Sequence, residues 1–169
     1  MDFDKRIFEA DEATLARLVN ETIVEPSVML VDDNKDLVNI DRIAFDDTRY
    51  QFYTAGDYES LVRFLDNCLR TDLYILDADF PRNEKGKPEL MFPEAVNSIR
   101  RYHKIDQTED PVIVIRSGQD YRKIADELGV PFVGKGDKSL GNDLAIAEHY
   151  LAEFNRQIDH ARDFVKRLS

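Results

Sequence analysis

Leu73-Tyr74-Ile75-Leu76-Asp77-Ala78-Asp79 is an apolar run that ends on two acids. Such a run is too short for a buried helix and shows no polar alternation, so it reads as a strand covered on both faces of a sheet. The pattern stands upstream as well, in Ser27-Val28-Met29-Leu30-Val31, which stops at Asp32-Asp33-Asn34. Tyr50-Gln51-Phe52-Tyr53-Thr54 is rich in aromatic and β-branched residues and reads as a further strand. Downstream, Pro111-Val112-Ile113-Val114-Ile115 ends at Arg116-Ser117-Gly118, and Pro131-Phe132-Val133 precedes Gly134-Lys135-Gly136.

Segments with helical spacing separate these strands. Residues 35–45 carry Leu37, Ile40, Ile43 and Ala44, and residues 58–69 carry Leu61, Val62, Phe64 and Leu65. Residues 93–102 open with Pro93, and residues 120–128 are stopped by Gly129. Residues 81–92 hold Pro81, Gly86 and Pro88 among charges and read as a loop. Strands alternating with helices predict an α/β fold. It is a five-stranded parallel sheet of order 2-1-3-4-5, flavodoxin-like and doubly wound. An N-terminal helix over 11–23, with Leu15, Leu18, Val19 and Ile23 on one side, and an extended C-terminal helix flank it.

The last helix is predicted over 139–168. Leu140, Leu144, Ala147, Leu151, Phe154, Ile158, Ala161, Val165 and Leu168 alternate spacings of four and three, a heptad seam. Its first half belongs on the sheet. Its second half needs a partner: a second copy, the N-terminal helix, or a following effector domain. A homodimer through this helix is expected. The domain division expected is 1–26 as an N-terminal helical extension, 27–150 as the sheet domain and 151–169 as an extension of the last helix.

The chain has 169 residues, 43% hydrophobic and 34% charged, with a net charge of −11. That acidity argues against nucleic-acid binding by this chain alone and against an anionic membrane surface. No stretch is long and apolar enough to span a bilayer. The segment Met1–Ala10 is charged and has no apolar centre, unlike a secretory signal. A cytoplasmic location is expected. Cys68 stands alone and reads as a packed residue. His103, His149 and His160 lack metal-ligand spacing, and Arg100-Arg101-Tyr102-His103-Lys104 reads as a solvated helix end.

Function follows from the strand ends. In a 2-1-3-4-5 sheet the first and third strands are neighbours, so Asp32, Asp33, Asp77 and Asp79 converge on one crevice, with Lys135 nearby. Clustered carboxylates repel one another, and a hard cation with oxygen ligands offsets that repulsion. Mg²⁺ suits a site with few carboxylates and several waters. Such a pocket is fitted to receive a phosphoryl group, with Asp77 as nucleophile.

The stretches Val28–Asn34, Asp72–Pro81, Pro111–Ile115 and Phe132–Lys135 resemble, in order and spacing, the response-regulator receiver family over residues 27–150. The resemblance implies a two-component signalling module rather than an enzyme. Asp77 would accept a phosphoryl group from a histidine kinase or phosphotransfer protein in a Mg²⁺-dependent reaction, and protein contacts would carry the signal. Asp33 corresponds to the direct metal ligand and Asp32 to the acid acting through water. Asp79 stands where the family offers a backbone carbonyl to the metal. Lys135 corresponds to the phosphoryl-pairing lysine and Phe132 to the rotating aromatic switch.

This chain departs from the pattern at the fourth strand's end. Arg116 stands where the family has Thr or Ser, with Ser117 next. Either Ser117 takes the role after a bulge, or Arg116 points its guanidinium at the phosphate, or the hydroxyl switch is lost. Gly136 replaces a proline, and the loop after Pro81 is long and carries Arg82, Lys85 and Lys87. The alternative function is a phosphorylation-independent pseudo-receiver acting as a dimerisation or adaptor module. A flavodoxin-type cofactor binder fits poorly, because no Gly/Ser/Thr-rich phosphate loop follows the first strand.

Overall fold

Strand β1 (Ser27–Val31) lies inside the sheet, as an apolar run with both faces covered should. It pairs in parallel with β2 (Gln51–Ala55) on one side and β3 (Leu73–Asp77) on the other. Beyond β3 come two more parallel strands, β6 (Val112–Ser117) and β7 (Phe132–Gly134). The order β2-β1-β3-β6-β7 is the predicted doubly wound order. The computed structural model describes residues 24–168 except 68, 108–109, 138 and 141. The helix expected over 11–23 and the packing expected of Cys68 lie outside the described residues.

Strand alternation sends side chains to two cores. Val28, Leu30, Leu73, Ile75, Val114 and Val133 meet Phe45 of α1 (Lys35–Asp46) and Ile146 and Ala147 of α5 (Asp143–Tyr150). Met29, Val31, Tyr74, Leu76, Ile113 and Ile115 meet α2 (Tyr58–Asp66), α3 (Phe92–Ile105) and α4 (Arg122–Leu128). Helix starts follow local chemistry. Asn34, Asp57 and Asn142 cap α1, α2 and α5 by accepting from backbone N–H groups, and Pro93 sits in the first turn of α3. Gly129 ends α4 at φ 64°, a left-handed conformation that favours glycine.

The structure corrects four expectations. Residues 81–92 are not simply a loop. Asp79–Phe80 (β4) and Glu89–Leu90 (β5) form a small antiparallel pair. The segment between them is tied to α2, whose Tyr58 and Glu59 N–H groups donate to the carbonyls of Pro81 (3.0 Å) and Arg82 (2.9 Å). The C-terminal helix starts at Asp143 rather than 139, because Asp137 Oδ1 accepts from the N–H groups of Ser139 (2.8 Å) and Leu140 (3.3 Å) and holds that stretch in a turn. It also breaks at Leu151 into α5 and α6 (Ala152–Leu168). Finally, the basic end of α3 is not simply solvated. Arg100 donates to the Leu128 and Gly129 carbonyls, and His103 is buried against the Tyr74 hydroxyl at 3.1 Å.

The described residues divide into two compact units, Pro26–Leu151 and a second that includes Glu25 and residues 152–168. In the second, Arg162 pairs with Glu25, Ile158 and Val165 are buried, and Phe154 and Phe164 are exposed. Among the described residues no helix is long and apolar enough to cross a membrane.

Candidate functional site

The carboxyl edge of the sheet gathers the acids. Asp32 follows β1, Asp77 closes β3, and Lys135 follows β7. Carboxylate oxygens of Asp32, Asp33 and Asp77 all lie within 4.8 Å of one another. Asp32 is buried; its Oδ1 accepts from Asn34 N–H at 2.8 Å, which holds the turn into α1. Asp77 Oδ1 accepts from Ala78 N–H at 2.8 Å. Each acid thus keeps its other oxygen turned to Lys135, whose Nζ is 2.8 Å from Asp77 Oδ2 and 3.4 Å from Asp32 Oδ2. The Lys135 backbone is pinned as well, its N–H donating to Ser117 O at 2.9 Å.

Burial sets the electrostatics. Desolvation pushes the Asp77 carboxyl above its ordinary range, against the pull of Lys135. Asp33 is raised too, by desolvation and then by the Asp32 charge. Desolvation works to lower Lys135, but its hydrogen bond to Asp77 and the charges of Asp77 and Asp32 outweigh it, and the ammonium is held above its usual value. The cluster therefore carries more acid than Lys135 neutralises. A hard divalent cation fits that deficit and that all-oxygen donor set. A cleft of about 490 Å³ opens beside the acids, lined among others by Lys35, Thr54, Arg63 and Gly86.

The remaining expected residues go elsewhere. Asp79 turns its side chain to Tyr121, whose hydroxyl lies 3.2 Å from each carboxylate oxygen. Ser117 Oγ accepts from Gln119 N–H at 3.0 Å. Arg116, although level with Asp77 across β3 and β6, pairs with Asp143 at 2.5 Å. Asp143 is wholly buried and Asp41 nearly so. Desolvation, then a hydrogen bond to Asp41, pushes the Asp143 carboxyl up to about 7, with Arg116 opposing. Phe132 is half-buried with the Arg122 guanidinium 5.7 Å from its ring centre.

Sequence reasoning missed Tyr121, Asp41 and Asp143. Asp41 left a signal: it stands between Leu37 and Phe45 at intervals of four, an acid on the inward stripe of α1. Tyr121 and Asp143 left none, because both are polar residues at helix starts, where such residues are common.

No family model matches the sequence, and no curated protein is similar to it. Solved structures are similar. The response regulator receiver domain protein from Clostridium thermocellum is 19% identical, over 85% of this chain and 99% of that one, with a TM-score of 0.50. The signal receiver domain of an HD domain-containing protein from Pseudomonas fluorescens is 16% identical, over 86% and 96%, at 0.52. The non-phosphorylated HemR receiver domain from Leptospira biflexa is 21% identical, over 79% and 94%, at 0.51. The fold is therefore that of response-regulator receiver domains.

Proposed function

We propose that the chain is a two-component receiver that takes a phosphoryl group onto Asp77 from a histidine kinase or phosphotransfer protein. The observation that carries this reading is the Lys135–Asp77 contact inside the three-acid cluster at the carboxyl edge of a receiver fold. An Asp77 carboxylate oxygen attacks phosphorus in line with the donor's leaving atom. The new bond is Asp77 O–P. The old P–N bond breaks, and its electron pair stays on the donor imidazole. Lys135 pairs with a phosphoryl oxygen as Asp77 gives up its carboxylate charge. Asp33, Asp32 and Asp77, with the Asp79 carbonyl, are the groups that would hold Mg²⁺, which supplies charge neutralisation of the phosphoryl oxygens when bound. Asp32 and Lys135 keep Asp77 oriented.

The test is intact mass after exposure to phosphoramidate and Mg²⁺. A gain of one phosphoryl in the wild type and none in Asp77→Ala is expected. No gain in the wild type, or an equal gain in the variant, removes the reading. A cytoplasmic location and a signalling rather than enzymatic role go with it.

The alternative, a phosphorylation-independent adaptor, draws support from Arg116 and Ser117, both engaged with other groups. The homodimer expected from the heptad seam has less support, since Ile158 and Val165 are already buried in the single chain. Sedimentation of the full chain distinguishes the monomer from the dimer.

A further inference from the structure

A buried ion cluster lies beside the phosphoacceptor. Arg116 and Asp77 are direct register partners on adjacent parallel strands, so their backbones are roughly 4.8 Å apart. Alternation puts both side chains on the same face: Asp77 follows Ile75, and Arg116 follows Val114, in the core covered by α1 and α5. Arg116 is 9% exposed, Asp143 0% and Asp41 6%. An arginine and two acids so deep in a core have been placed at a desolvation cost, and a neutral residue of the same volume would fill the space without it.

We propose that Arg116 is a second phosphoryl-binding cation, held in reserve by Asp143, and that its transfer to the phosphoryl group on Asp77 signals to the first turn of α5. The inference rests on Asp77 being the phosphoacceptor.

Two observations and the chemistry of a phosphoryl group carry it. Ser117 sits on the opposite alternation from Arg116 and is occupied by the Gln119 N–H, so the strand-end hydroxyl does not face the same core as Asp77. The hold on Arg116 comes from a charge that burial disfavours: Asp143, its partner at 2.5 Å, is wholly buried, and desolvation works against its carboxylate form. A phosphoryl group brings a charge of about −1.5 to −2 and oxygens matched to a guanidinium fork. It is therefore the stronger partner at nearly the same place. When Arg116 swings across, Asp143 at the start of α5 is left buried beside Asp41 of α1 without its cation. The signal then leaves through α5 and α1, with no step at Phe132.

The test uses the full chain and beryllium fluoride with Mg²⁺ as the phosphoryl mimic, beside the phosphoramidate mass assay. Asp143→Asn keeps the shape and the contact with Asp41 but weakens the hold on Arg116. It should tighten mimic binding about tenfold, the scale of one charge-assisted hydrogen bond. Adding Arg116→Gln to Asp143→Asn should abolish that gain and bind more weakly than wild type. The double variant leaves no charged Asp143 without its cation, so it also covers the case in which Arg116→Gln alone fails to fold. In the wild type, the mimic should lower hydrogen-exchange protection in the first turn of α5. If wild type takes up phosphate yet both variants bind the mimic like wild type, or the α5 amides do not respond, the role of Arg116 is overturned and the phosphoacceptor stands. If wild type neither gains mass nor binds the mimic, the receiver reading falls, and this inference with it.

Discussion

Lys135 Nζ stands 2.8 Å from Asp77 Oδ2, and this contact ties the end of β7 to the end of β3. It is also what opposes the desolvation of the Asp77 carboxyl. Lys135→Met removes that opposition. The Asp77 pKa then rises further, and the carboxylate needed for attack forms only at higher pH. Phosphorylation by phosphoramidate at neutral pH should slow by about tenfold to a hundredfold, the value of a charged hydrogen bond. The rate–pH curve should move to higher pH. A rate within twofold of wild type, with an unmoved curve, would show that Lys135 is not the phosphoryl partner.

Mg²⁺ should stabilise the fold, and more so at pH 8 than at pH 5.5. Asp33 and Asp77 are both held above their ordinary range, so protons compete with the metal as pH falls through those raised values. At a hundred times the dissociation constant, binding adds about 2.7 kcal/mol. Thermal unfolding with and without Mg²⁺ at the two pH values measures this, with Asp33→Asn as the control that loses the shift. An equal shift in Asp33→Asn would place the metal elsewhere.

The strand ends were legible because an apolar run that halts at acids is a local pattern. Asp32, Asp33, Asp77 and Lys135 could be assembled from it once the strand order was set. The β4–β5 pair was not legible: two residues per strand carry no period, and the pairing is set by how residues 81–88 bind back to α2. Nor was the break at Leu151, since the heptad spacing runs on through it and a helix end with its own capping bond leaves that spacing intact. The destination of Arg116 was hidden for another reason. Its partner, Asp143, lies on a helix beyond the next strand, and buried charge pairing has no sequence period.

Asp143 gives the protein a pH signature. Its folded-state carboxyl is raised to about 7 by burial and by the hydrogen bond to Asp41. The folded chain therefore holds a proton that the unfolded chain has lost between about pH 4 and 7. Stability is fullest below the unfolded value and declines as pH rises through about 7. One proton limits the slope to about 1.4 kcal/mol per pH unit. Urea unfolding of metal-free protein from pH 5 to 8 should show the decline, and Asp143→Asn should reduce it. A slope unchanged in the variant would assign the effect to other acids.

Tyr121 offers a separate handle on the site. Its hydroxyl is 3.2 Å from both Asp79 oxygens and 2.9 Å from Gln119 Oε1, and its ring packs at 6.1 Å from Phe92. Tyr121→Phe keeps the ring and removes the donor. The Asp79 charge is then no longer partly neutralised by a hydrogen bond and acts more fully on its surroundings. Mg²⁺ affinity, measured by calorimetry, should rise by about twofold to threefold, the effect of one modest hydrogen bond given up to a charge in a partly solvated site. Stability should change little, because the packing on Phe92 remains. The same substitution in an Asp79→Asn background should do nothing to Mg²⁺. If Tyr121→Phe strengthens binding equally there, the effect runs through the loop after β6 and not through the Asp79 charge.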